Sequence, residues 1–196
     1  MKIETSDVPS AGLIEYARIP IVFEVNAVLD VGDRLESGGF ILTERRVQTP
    51  YLKDYDAIAE TPTEWARRFD TSKWGIMIAR IDDYCVGGVT AAYNTPGLDM
   101  LEGRSDLAVI WDIRVAPARR QHGVGTSLMK AAEAWAVARG CRHLKVETQN
   151  INLAACRFYA RQGFVLRAAH RGVYRECPDE VQLLWYKDLG HHSAAG

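Results

Sequence analysis

Apolar positions along this chain switch between a period of two and a period near 3.6, and the switches mark out its elements. Ile19 to Val31 is rich in Ile and Val and predicts a strand; Ser37-Gly38-Gly39 breaks the run, and Phe40 to Val47 resumes it. Residues 48–72 mix Pro, Asp, Glu and aromatics, and Thr63 to Ala66 begins a short helix after Pro62. The runs WGIMIARI (74–81) and CVGGVTAAY (85–93), separated by Asp82-Asp83-Tyr84, predict a hairpin. A polar loop follows at 94–106. LAVIWDIRV, from Leu107, reads as a long strand that Pro117 terminates. Leu128, Ala131, Ala132, Trp135 and Ala138 then recur at helical spacing between Thr126 and Arg139, with Gly140 as the stop. HLKVETQ (143–149) sets Leu144, Val146 and Thr148 against Lys145, Glu147 and Gln149, a strand with one polar face. Asn152 is placed to cap a second helix, LAACRFYARQ, closed by Gly163. Phe164–Leu166, Val173–Arg175 and Val181–Lys187 are further strand candidates. Strand, Gly-rich turn, helix and strand around residues 107–149 form a βαβ unit.

Composition narrows the class. The 196 residues are 47% apolar and 25% charged, which is globular usage and fits one domain with one core. No apolar run approaches the roughly 20 residues of a membrane helix. The start, MKIETSDVPS, carries acids where a secretory signal needs apolar residues. Cys85, Cys141, Cys156 and Cys177 form no C-x-x-C pair, so reduced thiols in a cytoplasmic protein are expected, with no metal site. The tail GHHSAAG contains His191 and His192, an incidental pair; residues 1–190 are expected to form a single domain and 191–196 a flexible tail.

Arg120-Gln121-His122-Gly123-Val124-Gly125 leads straight from strand into helix. Such a turn lets backbone approach a ligand, and the helix start offers N–H groups and a positive dipole end to a pyrophosphate. It is not a Walker A loop, because the Lys is missing, and only Gly123-x-Gly125 of a dinucleotide fingerprint is present. A purely structural turn is the competing explanation. Charge distribution shifts the balance. Net charge is −1, yet residues 107–175 hold twelve Lys or Arg against three acids, a net of +9. Residues 54–106 hold ten acids against five bases, a net of −5. Near-neutrality is thus a cancellation of two poles, one suited to an anion and one to a cation. It excludes a uniformly basic nucleic-acid binder.

With these motifs the sequence resembles the GNAT superfamily of acetyl-CoA-dependent N-acyltransferases. The resemblance is carried by IRVAP, Arg120-x-x-Gly123-x-Gly125, the helix after it, KVETQ, and NLAACRFYARQGF with Asn152, Phe158-Tyr159 and Gly163-Phe164. Within that superfamily it is similar to the streptothricin acetyltransferases through residues 38–56, 146–164 and 180–186; the 94–106 loop carries no matching motif. The resemblance implies an α/β (α+β) single-domain fold, a central, mixed, mostly antiparallel twisted sheet flanked by helices. It implies acetyl-CoA as co-substrate, with the pyrophosphate on Arg120, Gln121, His122, Gly123, Val124, Gly125 and Thr126. The pantetheine arm would pair with main chain of Ile113, Arg114 and Val115, and Asn152, Ala155 and Tyr159 would complete the cleft. Homodimers occur in this family, so a homodimer is a possible assembly.

An amine attacking a thioester must lose a proton, and the departing thiolate must gain one. Glu147 and Asp112 are the two candidates for the first task, acting through water, and Tyr159 matches the family position for the second. A backbone N–H near Val115 suits the oxyanion. Each has a competing structural role: Glu147 pairing with Lys145 or Arg142, Asp112 fixing Arg114 or a loop, Tyr159 as core. His122 shapes the turn, Trp111 and Trp135 read as core, and Cys156 reads as a buried thiol rather than an acyl carrier. The reading that results is acetyl transfer, by direct attack in a ternary complex, to a lysine-like amine of a small cationic antibiotic of the streptothricin type. Asp54, Asp56, Glu60 and Glu64 are the candidate acceptor-binding residues, with a solvated loop surface as the alternative. A protein N-terminus or polyamine acceptor, a non-catalytic acetyl-CoA-binding module, and a nucleotide-phosphate enzyme are the other readings.

Overall fold

The computed structural model describes residues 1–8, 11–36 and 38–190. The first elements are β1 (Lys2–Asp7), α1 (Ala11–Tyr16), β2 (Phe23–Arg34), β3 (Phe40–Lys53), β4 (Gly75–Ile81), β5 (Tyr84–Tyr93) and β6 (Leu107–Val115). There follow α2 (Val124–Val137), β7 (His143–Gln149), α3 (Leu153–Arg161), β8 (Val165–His170) and β9 (Gln182–Asp188). Contacts divide the chain into two units interleaved in sequence: Met1–Ile21, Asp56–Lys145 and the segment from Asp188 form one, Val22–Tyr55 and Val146–Lys187 the other. Ser37 of the expected Ser-Gly-Gly break and the 191–196 tail, with His191 and His192, lie outside the described residues. Among the described residues no helix is long and apolar enough to cross a membrane.

The first unit is built on four antiparallel strands in the order β1-β4-β5-β6. The expected hairpin is β4–β5, and its loop is only Asp82-Asp83, with φ of 49° and 65°. Left-handed conformation at both loop residues gives the twist that a two-residue hairpin requires. One side of the core gathers Trp65, Trp74, Ile76, Ile78, Ala92, Leu101 and Val109, with Phe69 and Trp111 against them. Trp74 sits 5.3 Å from Trp111 and 6.1 Å from Trp65, ring centre to ring centre, and its indole N–H donates to Thr95 Oγ1 at 2.8 Å. Large rings thus bury apolar area without stranding this polar edge. Tyr16, fully buried, lies over Gly88, where a Cβ would stand 2.6 Å from its ring.

In the second unit β2 and β3 form a separate two-stranded sheet, while β7, β9 and β8 are neighbours in that order. Val25, Val28 and Ile151 make its small core with Phe23 and Val47. Asn150, just past β7, joins both neighbours. It receives Leu29 N–H on its backbone carbonyl at 2.9 Å and donates Nδ2–H to Leu29 O at 2.9 Å. Towards Val181 it donates its own N–H at 3.0 Å and accepts the Val181 N–H on Oδ1 at 2.8 Å. Its amide side chain therefore stands in for a missing stretch of ladder, and a buried polar residue is satisfied.

Both helices end as the sequence predicts. Gly140 and Gly163 adopt φ of 77° and 84°. Cys141 N–H reaches Ala136 O and Gly140 N–H reaches Val137 O, at 3.0 and 2.9 Å, the paired bonds of a Schellman ending. At the other helix Phe164 N–H reaches Tyr159 O at 3.0 Å, and the two rings pack at 5.8 Å.

Several boundaries differ from expectation. β2 begins at Phe23 rather than Ile19, because Ile19 closes the turn after α1 and Pro20 lacks a ladder donor. β3 continues past Val47 through Pro50, which lies opposite a register shift between Val25 and Ala27 on a strand with one neighbour. α2 begins at Val124, two residues earlier than Thr126. Val173–Arg175 is not a strand but part of the β8–β9 loop, where Cys177 N–H to Tyr174 O and Glu180 N–H to Cys177 O make turns instead of a ladder. β1 and α1 carry no periodic signal strong enough to predict them.

Gly88→Ala is expected to displace the Tyr16 ring and lower stability by about 1–3 kcal/mol, read as a fall in thermal midpoint.

Candidate active site

Glycine at 123, with φ of 80°, caps α2 without contributing a side-chain hydrogen bond. The first turn of a helix has N–H groups without intrahelical partners, and here no cap side chain takes one up. Around them, Arg120 donates to Val115 O at 3.1 Å and to Pro20 O at 3.4 Å, fixing the turn against β6. His122 Nδ1 lies 2.6 Å from Arg120 O, within hydrogen-bond distance across the turn. A helix N-terminus of this kind, with its positive dipole end and a neighbouring arginine, is suited to an anion.

Asp112 lies on β6 and is fully engaged. Tyr16 donates its hydroxyl to Oδ1 at 2.8 Å, and Arg114 donates from Nε and Nη2 at 2.9 and 2.6 Å to Oδ2. The same guanidinium reaches Asp56 at 2.6 and 2.9 Å and Ile19 O at 3.2 Å. All five of its N–H donors are used. Arg114 and Asp112 side chains are only 2% and 7% exposed. Burial pushes the Asp112 carboxyl up and the Arg114 charge opposes it. For Arg114 burial disfavours the charge, but attraction to Asp112 and the bonds to both carboxylates outweigh it and hold its pKa above the ordinary value. This is the structural role foreseen as the rival to general-base work: Asp112 fixes Arg114.

In the second unit Glu147 accepts the Tyr174 hydroxyl on Oε1 at 2.6 Å and Gln182 Nε2–H on Oε2 at 2.7 Å. Lys145 pairs instead with Glu102 at 2.7 Å and Arg142 with Asp106 at 3.2 Å. Tyr174 and Gln182 were not readable as partners, because they follow Glu147 by 27 and 35 residues with no periodicity linking them. Asn152 caps α3 through Oδ1, which receives Ala155 N–H at 3.1 Å. Tyr159 is buried between Phe158 and Phe164. Cys156 is buried, its thiol pushed up to about 12 by desolvation, which suits an inert thiol and not an acyl carrier. The four cysteines are free.

Of the acceptor candidates, Asp56 belongs to the Arg114 cluster. Glu64 receives Thr61 N–H and Oγ1–H at 3.0 and 2.8 Å, a capping box, and meets Arg67 at 3.1 Å. Glu60 pairs with Arg68 at 3.5 Å, and Asp54 directly follows β3. Glu60 and Glu64 line an open cleft of about 570 Å³ with Ile58 and Arg68. A larger cleft of about 690 Å³ lies in the second unit between Asp30, Tyr51, Arg171, Glu176 and Asp179, none of which the sequence singled out. Among the described residues no group of three or more His, Cys, Asp or Glu could hold a metal ion.

Comparison with known proteins identifies the family. The acetyltransferase (GNAT) family matches residues 42–164. Streptothricin acetyltransferase of Escherichia coli is 33% identical over 167 residues, 84% of each chain. Streptothricin acetyltransferase A of Bacillus subtilis (strain 168) is 30% identical over 153 residues, 77% of this chain and 81% of the other. Among solved structures, nourseothricin acetyltransferase superposes with a TM-score of 0.71 at 28% identity, over 96% of this chain and 98% of that one. A Bacillus anthracis (strain Ames) protein assigned as a streptothricin acetyltransferase, solved with acetyl coenzyme A, gives 0.76 at 26% identity, over 95% and 99%. The α+β fold with a mixed sheet flanked by helices is therefore shared along nearly the whole chain.

Arg114→Ala leaves Asp112 buried without its cation and is expected to lower stability by about 3–5 kcal/mol in urea unfolding. Glu60→Ala, at an exposed pair, should change it by less than about 0.5 kcal/mol.

Proposed function

The chain belongs to the acetyltransferase (GNAT) family and is an acetyl-CoA-dependent N-acetyltransferase, and on that premise we propose that it acetylates a primary amine of a small cationic antibiotic of the streptothricin type. The observation that carries this reading is similarity over most of both chains to two streptothricin acetyltransferases, with a nourseothricin acetyltransferase superposing over 96% of this chain.

In this reading the residues from Arg120 to Thr126 hold the pyrophosphate and β6 main chain at Ile113–Val115 holds the pantetheine, with Asn152 and Ala155 from α3. Glu147 accepts the amine proton through water. Both its oxygens are hydrogen-bonded, and each retains a further acceptor position. Asp112 is the weaker candidate, since a carboxylate locked to a saturated guanidinium has no freedom to exchange a proton. Tyr159 protonates the leaving thiolate, and the Val115 N–H steadies the oxyanion. Attack is direct, which the buried, high-pKa Cys156 favours over an acyl-cysteine route. The cationic acceptor meets Glu60 and Glu64 along their cleft, and with them Asp54; Asp56 serves Arg114. Four free cysteines fit a cytoplasmic setting.

Release of CoA thiol from acetyl-CoA tests this with streptothricin, aminoglycosides, polyamines and peptides as acceptors. Release with streptothricin alone is expected; release with peptides or polyamines alone overturns the acceptor, and none with any amine overturns the enzyme reading. Glu147→Gln should lower kcat by about 10²–10⁴-fold. Tyr159→Phe should lower turnover while acetyl-CoA affinity, read by calorimetry, stays within about twofold of the parent, since the lost hydroxyl serves proton transfer.

A further inference from the structure

Glu147 is held in an uncommon way for a carboxylate on a chain so rich in arginine. Its two oxygens are bonded by neutral donors, the Tyr174 hydroxyl at 2.6 Å and the Gln182 amide at 2.7 Å. Lysine two residues back on the same strand, Lys145, is drawn to Glu102 at 2.7 Å. Neutral donors orient a carboxylate without cancelling its charge, whereas a bidentate arginine, as on Asp112, fixes the group and neutralises it.

The Tyr174 hydroxyl is itself oriented. It accepts Gln149 Nε2–H at 3.1 Å, which leaves its own proton to point at Glu147. Burial, then the Glu147 charge, raise the phenol above its ordinary pKa, so it stays a donor throughout the neutral range. Glu180 also acts on Tyr174 through space, and Lys53 at 2.5 Å balances it. Three chain segments therefore converge on one carboxylate: β7 with Glu147 and Gln149, β9 with Gln182, and the irregular β8–β9 loop with Tyr174.

From this geometry we infer that Tyr174 is the positioning residue of Glu147: its hydroxyl selects one carboxylate orientation for accepting the substrate amine's proton. The inference rests on the assignment of Glu147 as the base. It adds a residue outside the motifs and places the β8–β9 loop in control of the reaction.

The test uses Tyr174→Phe, Glu147→Gln and the double variant in the full chain. Carbon-13 NMR of carboxyl-labelled glutamates at one fixed pH reads the Glu147 environment without turnover, with Glu147→Gln identifying the signal; in Tyr174→Phe that signal should shift and broaden, because the carboxylate then samples more than one orientation. In acetyl transfer, Tyr174→Phe should lower kcat by about tenfold with the KM for acetyl-CoA unchanged, as expected where only the proton-transfer step is impaired. In the Glu147→Gln background the same substitution should change kcat by less than about twofold, because its effect passes through a carboxylate no longer there. An unchanged Glu147 signal, or losses that multiply in the double variant, overturns the inference. If the parent protein transfers acetyl to no amine, the proposed function falls, while the Glu147 signal still decides whether Tyr174 holds the carboxylate.

Discussion

A guanidinium with no donor left over organises the first unit. Arg114 joins three stretches distant in sequence, Ile19, Asp56 and its strand neighbour Asp112, and each is needed to satisfy a different N–H group. A buried charge tolerates no vacancy, so the cluster fixes which backbone segments lie beside β6 as firmly as apolar packing does. Tyr16 completes it from α1, and the glycine at 88 is what lets that ring come close enough. Six residues of helix, too few to be stable alone, are held by the Tyr16 hydroxyl and ring together with buried Leu13 and the Glu15–Arg80 ion pair.

The second unit solves a similar problem with amides and hydroxyls instead of a charge. Asn150 extends two ladders at once with main chain and side chain, and Gln182, Gln149 and Tyr174 surround Glu147 without neutralising it. The contrast separates the two carboxylates the sequence could not distinguish. Asp112 and Glu147 both lie on strands of the βαβ unit, yet one is tied to a cation and the other to neutral donors.

Much of this was legible from the sequence, and the reasons differ by element. The β4–β5 hairpin, β6, β7 and both long helices announce themselves through periodicity and end glycines, because their burial is local and regular. The 54–64 acids drew attention by charge alone, but composition cannot show that Asp56 turns to Arg114 or that Glu64 caps its own turn. Val173–Arg175 looked like a strand because Val and Tyr favour one, whereas tertiary bonding of Tyr174 and the turns at Cys177 and Glu180 prevail. Asp112 fixing Arg114 was foreseen from their closeness, but Tyr16 and Asp56 lie 96 and 58 residues from the groups they bond, and Tyr174 and Gln182 lie 27 and 35 from Glu147, with no repeat linking them.

The two helices of the βαβα segment differ at their starts. Asn152 seals α3 with its own side chain, whereas α2, begun by glycine, brings no such group. Side-chain caps contribute about 1 kcal/mol to a helix. In the proposed reading the pyrophosphate supplies that stabilisation when it binds, and mass action then ties folding to ligand supply. In a cell rich in acetyl-CoA the protein would resist unfolding and proteolysis better than in a starved one, so the pool that feeds the reaction would also set how long the enzyme survives.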